Sequence, residues 1–181
     1  VPKGYRAIGY IGRLSFNKRP EVVARAVARL PEDCIAVMIG DGIEAKPITK
    51  LAREIAGDRV IIPGPTDDVG SALDGLDAWM LCSDAEGFSI ALTEAMLSGT
   101  PIVTNHVGAV DDLQEKFGEL FCCVPNGASD DELAAACLRA LSPSGRSIAD
   151  HARRVALEHL TAELSAQRWA EWLREICPVV V

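Results

Sequence analysis

The chain has 181 residues, 49% of them hydrophobic and 24% charged, and its 18 basic against 26 acidic side chains give a net charge of -8. That composition fits one packed domain over residues 1–181 and excludes a disordered chain or a broad basic footprint for nucleic acid, so any bound anion must be held locally. No apolar run reaches the roughly 18–20 residues of a membrane-spanning helix, and the opening "VPKGYRAIGY" lacks the profile of a secretory signal; it reads as a cut within a longer protein.

Short apolar runs of strand length recur along the chain: residues 6–12 (RAIGYIG), 34–40 (CIAVMIG), 59–64 (RVIIPG), 77–82 (DAWMLC), 100–105 (TPIVTN) and 119–124 (ELFCCV). Their near-continuous hydrophobicity suits strands covered on both faces, as in parallel sheets flanked by helices. Helical patterns lie between them at 20–30, 44–56, roughly 67–76, 89–98 and 130–141. "SDDE" at Ser129 to Glu132 is a capping-box signature that fixes the start of the last of these. After "SPSG" (142–145) the chain reads as two helices to residue 176, with Trp169, Trp172 and Leu173 on one stripe. The expected fold is α/β: a doubly wound parallel sheet of about six strands with C-terminal helices.

Six cysteines (Cys34, Cys82, Cys122, Cys123, Cys137 and Cys177) show no CxxC spacing and sit mostly in apolar runs. They read as reduced, buried thiols of a cytosolic protein, with Cys122 and Cys123 facing opposite sides of a strand.

In a doubly wound sheet, ligands bind outside the carboxyl ends of the strands, so the loops that follow the strands carry the chemistry. In "SDAEGFSIALTEAMLSGTPIV" (83–103), Glu86 and Glu94 are eight residues apart, about 80° around a continuous helix, and would not share a face. Gly87 instead places Glu86 in the loop and starts the helix near Phe88 or Ser89. The amides of Gly87, Phe88, Ser89 and Ile90 then stand at a helix N-terminus suited to a phosphate. The competing reading is that Ser83 and Glu86 form a capping box of their own. The loop after the first strand, "GYIGRLSFNKRPE", holds Gly12, Arg13 and Lys18, two cations that converge on an anion if "LSFN" turns back. Arg19 is a second candidate there, and His106 follows a later strand. G-x-G-x-x-G, P-loop, zinc and G-x-S-x-G patterns are absent, which disfavours a dinucleotide-dependent dehydrogenase.

With these residues in order, nearly the whole chain resembles the nucleotide-sugar-binding C-terminal domain of the retaining GT-B glycosyltransferases of family 4, or group 1. "GRLSFNK" is similar to that family's G-R-L-x-x-x-K loop, and "EGFSIALTE" followed by "AMLSGTPIV" to its E-x7-E motif. "HVGAVDD" approximates its G-G-x-x-E loop, and Arg19-Pro20 and Ser89 stand where the family often has glycine. The resemblance implies that Gly12, Arg13 and Lys18 hold the donor diphosphate with the amides of Gly87 to Ile90. It implies further that Glu86 meets the donor sugar as the catalytic carboxylate, Glu94 binds the ribose, and Pro63 and Gly64 frame the base. No metal or cofactor is implied, the nucleoside-diphosphate sugar being the donor substrate. The acceptor would be bound by an N-terminal domain outside this chain, onto which the terminal helices would pack; the location would be cytoplasmic, with any membrane contact through that other domain. Two alternatives share the fold: a non-catalytic nucleotide-binding regulatory module, and a GT-B-like epimerase or phosphorylase.

Overall fold

The computed structural model describes residues 2–177. Its six strands are β1 (Arg6–Ile11), β2 (Cys34–Ile39), β3 (Val60–Gly64), β4 (Ala78–Leu81), β5 (Ile102–Asn105) and β6 (Cys122–Val124). They form one sheet in the order β3-β2-β1-β4-β5-β6. Every neighbouring pair is parallel, with Arg6 opposite Cys34 and Ile8 opposite Ala78. Such a sheet must be covered on both faces, and the helices do this: α1 (Glu21–Arg29), α2 (Ala45–Ala56), α3 (Val69–Asp74), α4 (Ile90–Ser98), α5 (Val110–Phe117), α6 (Asp130–Ala140) and α7 (Pro143–His159).

Two cores result from the alternation of side chains along each strand. Ile8, Met38 and Met80 pack with α1, α2 and α6, while Ala7, Val37 and Trp79 pack with α3, α4, α5 and α7. Cys122 and Cys123 divide between the two faces as the sequence suggests. α8 (Ala162–Ile176) buries none of its residues.

The Ser129 capping box forms on both sides: Ser129 N–H donates to Glu132 Oε2 at 2.8 Å and Glu132 N–H to Ser129 Oγ at 3.3 Å. Three expectations are corrected. α5 occupies a stretch read as non-helical; it is eight residues long and is preceded by Ala109, which offers no capping oxygen. The final strand is only Cys122–Val124, since the chain before it is still turning out of α5 at Gly118. α7 begins inside "SPSG" rather than after it, because Ser142 caps the helix through the amide of Gly145 and Pro143 occupies the first turn, where its missing N–H costs nothing.

The strand order has one reversal. From β1 the chain steps outward to β2 and β3, then returns to place β4 on the other side of β1. The loops after β1 and β4 lie on either side of this switch point, at the carboxyl ends of the strands, where doubly wound sheets form the crevice that binds ligands.

Candidate donor site

The loop after β1 turns back as the "LSFN" segment requires. Ser15 N–H donates to the Arg13 carbonyl and Lys18 N–H to the Ser15 carbonyl, both at 3.0 Å, closing a 3₁₀ turn over Phe16–Lys18. Neighbouring loops hold it in place. Leu14 N–H donates to the Asp41 carbonyl at 2.9 Å, Phe16 N–H to Glu44 Oε2 at 2.6 Å, and Asp84 N–H to the Asn17 carbonyl at 2.9 Å. Gly40 is required by proximity, since a Cβ there would lie 1.8 Å from the Gly12 carbonyl oxygen. Tyr10 Oη donates to the Arg13 carbonyl at 2.8 Å. Burial raises the Tyr10 phenol above its ordinary range, with the negative charge of Glu86 adding to the rise.

Across the crevice, Ser89 caps α4 through a 3.3 Å bond from the Leu92 amide. This settles the choice posed by the sequence: Ser83 and Glu86 begin no helix, and Glu86 stands in the loop. The amides of Gly87, Phe88, Ser89 and Ile90 have no acceptor among the described residues and lie at or just before the positive end of α4. Gly87 is exposed and a Cβ there would meet nothing within 4 Å, so its backbone is open to an incoming group. Phe88 is 54% exposed and does not pack the loop against the core.

Lys18 and Glu86, 68 residues apart in the chain, meet in this crevice. Lys18 Nζ donates to Glu86 Oε1 at 2.8 Å, and Ser83 Oγ donates to the same oxygen at 2.8 Å. The Glu86 side chain is 11% exposed and that of Lys18 28%. Glu86 Oε2 accepts no hydrogen bond among the described residues. Arg13 is exposed and its guanidinium has no partner among the described residues. The two cations therefore differ: one is already paired with a carboxylate, the other faces solvent. Cys82, one residue before Ser83, is buried and its thiol is pushed up to about 12, so it stays protonated and offers no thiolate to the crevice.

The remaining candidates lie around this centre. Glu94 is half-buried on the second turn of α4. Pro63 and Gly64 end β3, on the far side of β2 from the Lys18–Glu86 pair; the Gly64 carbonyl accepts from Gly40 N–H at 2.9 Å, which links the loops after β2 and β3. Arg19 is the sole non-glycine residue with positive φ among those described (φ 50°, ψ 47°), a conformation that glycine adopts at less cost. Its guanidinium lies 3.8 Å from Asp84. His106 pairs with Asp111 at 2.6 Å.

Two supports escape a reading of the sequence alone. Asn105, at the end of β5, donates through Nδ2 to the Ser83 carbonyl at 3.0 Å and to Asn126 Oδ1 at 2.8 Å, fixing the strand end that carries Ser83. Gly108, at φ +55°, packs on the loop of Glu86, where an added Cβ would lie 2.2 Å from the Gly87 carbonyl oxygen and 3.0 Å from Glu86 Cβ. The glycine in "HVGAVDD" was the available signal for the second; nothing local marks the first.

Residues 5–143 match the family model of the Glycosyl transferases group 1. The chain belongs to that family. Among curated group 1 relatives, it is 31% identical over 123 residues to the D-inositol 3-phosphate glycosyltransferase of Corynebacterium urealyticum, an alignment covering 61% of this chain and 29% of that protein. It is 27% identical over 188 residues to the 2-deoxystreptamine glucosyltransferase of Streptomyces kanamyceticus, covering 92% of this chain and 48% of that one. The crystal structure of Anabaena HepE in complex with UDP and glucose shares the fold at a TM-score of 0.85 and 24% identity, over 95% of this chain and 49% of that one. The chain thus spans less than half the length of each of these proteins.

Proposed function

We propose that this chain is the donor-binding domain of a retaining glycosyltransferase, transferring a sugar from a nucleoside diphosphate to an acceptor held by a separate N-terminal domain. The observation that carries the reading is the pairing of two anion-seeking elements across the β1/β4 crevice. On one wall are Gly12, Arg13 and Lys18; on the other are the unpaired amides at the start of α4 with Glu86 beside them.

The chemistry follows from the leaving group. As the bond to the sugar breaks, negative charge grows on the diphosphate, and preorganised donors aimed at it lower the barrier without needing a metal ion. Arg13 supplies a planar fork, Lys18 a point charge, and α4 the positive end of a helix. Glu86 keeps Oε2 for the sugar's hydroxyls while Ser83 steadies Oε1. Glu94 takes the ribose hydroxyls, and Pro63 with Gly64 borders the base.

The exposed face of α8 supports the proposal of a second domain. Trp169, Trp172, Leu173 and Ile176 are 60%, 49%, 48% and 51% exposed and follow the i, i+3, i+4, i+7 spacing of one helical stripe. Among the described residues no helix is long and apolar enough to cross a membrane, and a cytoplasmic location, peripheral to the membrane at most, fits the reading.

Thermal melts of the chain with a panel of nucleotide sugars test it, since a ligand bound only by the folded state raises Tm. The complex of the Anabaena protein makes UDP-glucose the first to try. A rise with one nucleotide sugar, and tighter calorimetric binding of that compound than of its nucleoside diphosphate that is lost in Glu86→Ala, is expected. Equal affinities unaffected by Glu86→Ala favour a regulatory nucleotide-binding module instead.

A further inference from the structure

The Lys18 ammonium, one of the groups assigned to the diphosphate, already has a carboxylate partner. Glu86 Oε1 receives Lys18 Nζ and Ser83 Oγ, each at 2.8 Å, and Ser83 is wholly buried, so this oxygen is held at a fixed point. The backbone around the pair is equally constrained. Asp84 N–H is bonded to the Asn17 carbonyl at 2.9 Å, Asn105 anchors the Ser83 carbonyl at 3.0 Å, and Gly108 presses on the Gly87 carbonyl. A lysine reaches by turning four side-chain bonds, whereas a carboxylate braced in this way moves little.

Resting on the donor-site reading, we propose that Lys18 exchanges between Glu86 and the donor's diphosphate, so that Glu86 limits how tightly the nucleoside diphosphate is held and draws Lys18 back as that product leaves. The pair is therefore a release device as well as a binding element. A phosphate oxygen recruits Lys18 only by displacing a carboxylate 2.8 Å away, which lowers the affinity for every species carrying the diphosphate. The intact nucleotide sugar recovers part of that loss, because its hydroxyls offer new donors to the carboxylate that Lys18 leaves. The free nucleoside diphosphate has no such groups, so the competition bears hardest on the product. This differential favours substrate over product at one site without any movement of the backbone.

The test is calorimetric titration of the chain with UDP, GDP and ADP, using the nucleotide that binds for every variant. Glu86→Gln keeps the shape and one acceptor oxygen for Ser83 Oγ, turns the other oxygen into an amide NH2 donor, and removes the charge. It is expected to tighten nucleoside diphosphate binding by about fivefold, the equivalent of one partly shielded ion pair. In a Lys18→Met background the same substitution is expected to change nothing, since the competition runs through Lys18. Unchanged or weaker binding in Glu86→Gln overturns the exchange. So does equal tightening with and without Lys18, which assigns the effect to net charge alone. Should Glu86→Gln fail to fold, the unsubstituted chain decides: with ¹⁵N-labelled lysine, saturating nucleotide shifts the Lys18 ammonium resonance if the exchange occurs and leaves it in place if it does not. Failure of all three nucleotides to bind the unsubstituted chain overturns the donor-site reading itself, and this inference with it.

Discussion

Gly108→Ala links packing to the site. The residue adopts φ +55°, where an L side chain is strained by roughly 1–2 kcal/mol, and the new Cβ would lie 2.2 Å from the Gly87 carbonyl oxygen. That neighbour is backbone and cannot rotate away, so relief requires the peptide between Glu86 and Gly87 to move; overpacking of this kind costs about 1–3 kcal/mol. The expected loss of stability is therefore about 2–5 kcal/mol, together with displacement of the loop that presents Glu86 and the unpaired amides at the start of α4. Gly127→Ala is the control. Gly127 has φ +76° with nothing within 4 Å of a Cβ, so it suffers the strain alone, about 1–2 kcal/mol. Urea denaturation of both variants, with calorimetric titration of the nucleotide sugar, separates the two effects. If Gly108→Ala is as stable as Gly127→Ala and binds donor as the unsubstituted chain does, the close packing of the β5 loop on Glu86 is refuted.

Arg13→Ala is expected to weaken nucleoside diphosphate binding by about 1.5–3 kcal/mol, the contribution of a charge-assisted bond, without altering the melting temperature because the guanidinium is exposed; unchanged affinity removes Arg13 from the site. Glu21 is a second test, of electrostatics rather than ligation. Its Oε2 is buried without a partner, and desolvation raises its pKa above the ordinary 4.5 despite the nearby Arg19 and Arg25. A carboxyl with a raised folded pKa is at no disadvantage while protonated in both states, and stability falls as pH rises through 4.5 to the folded value. Glu21→Gln should therefore raise Tm at pH 7, the gain closing as pH falls towards 4.5; a lower Tm at pH 7 contradicts this. Ser129→Ala removes the capping box of α6 and should cost about 0.5–2 kcal/mol in chemical denaturation; a smaller loss would mean that packing alone fixes that helix start.

Much of this architecture is written locally. Apolar runs of strand length, the Ser129 and Glu132 pair, and Gly87 before Ser89 each declare an element through nearest-neighbour chemistry, and each element is found within or beside its signal, the last strand shortened to Cys122–Val124. α5 was hidden because its signal is weak locally: Ala109 supplies no cap, and Val110 and Leu113 are stabilised by burial against the second core. The loops holding Gly12, Arg13, Lys18 and Glu86 could be singled out because ligands of a doubly wound sheet bind where loops follow the strands, and each of these residues follows a strand run in sequence. Their partners could not. Ser83 and Glu86 have the spacing of a capping box, and only the position of α4 turns that pattern into a side-chain bond within a loop.

What the sequence determined by itself is the set of elements and the types of group carried on their loops, since both depend on contacts within a few residues. The tertiary structure decided which loops meet. Placing β4 beside β1 brings Lys18 against Glu86 across 68 residues of chain, and it does so through strand pairing and burial that no local pattern encodes.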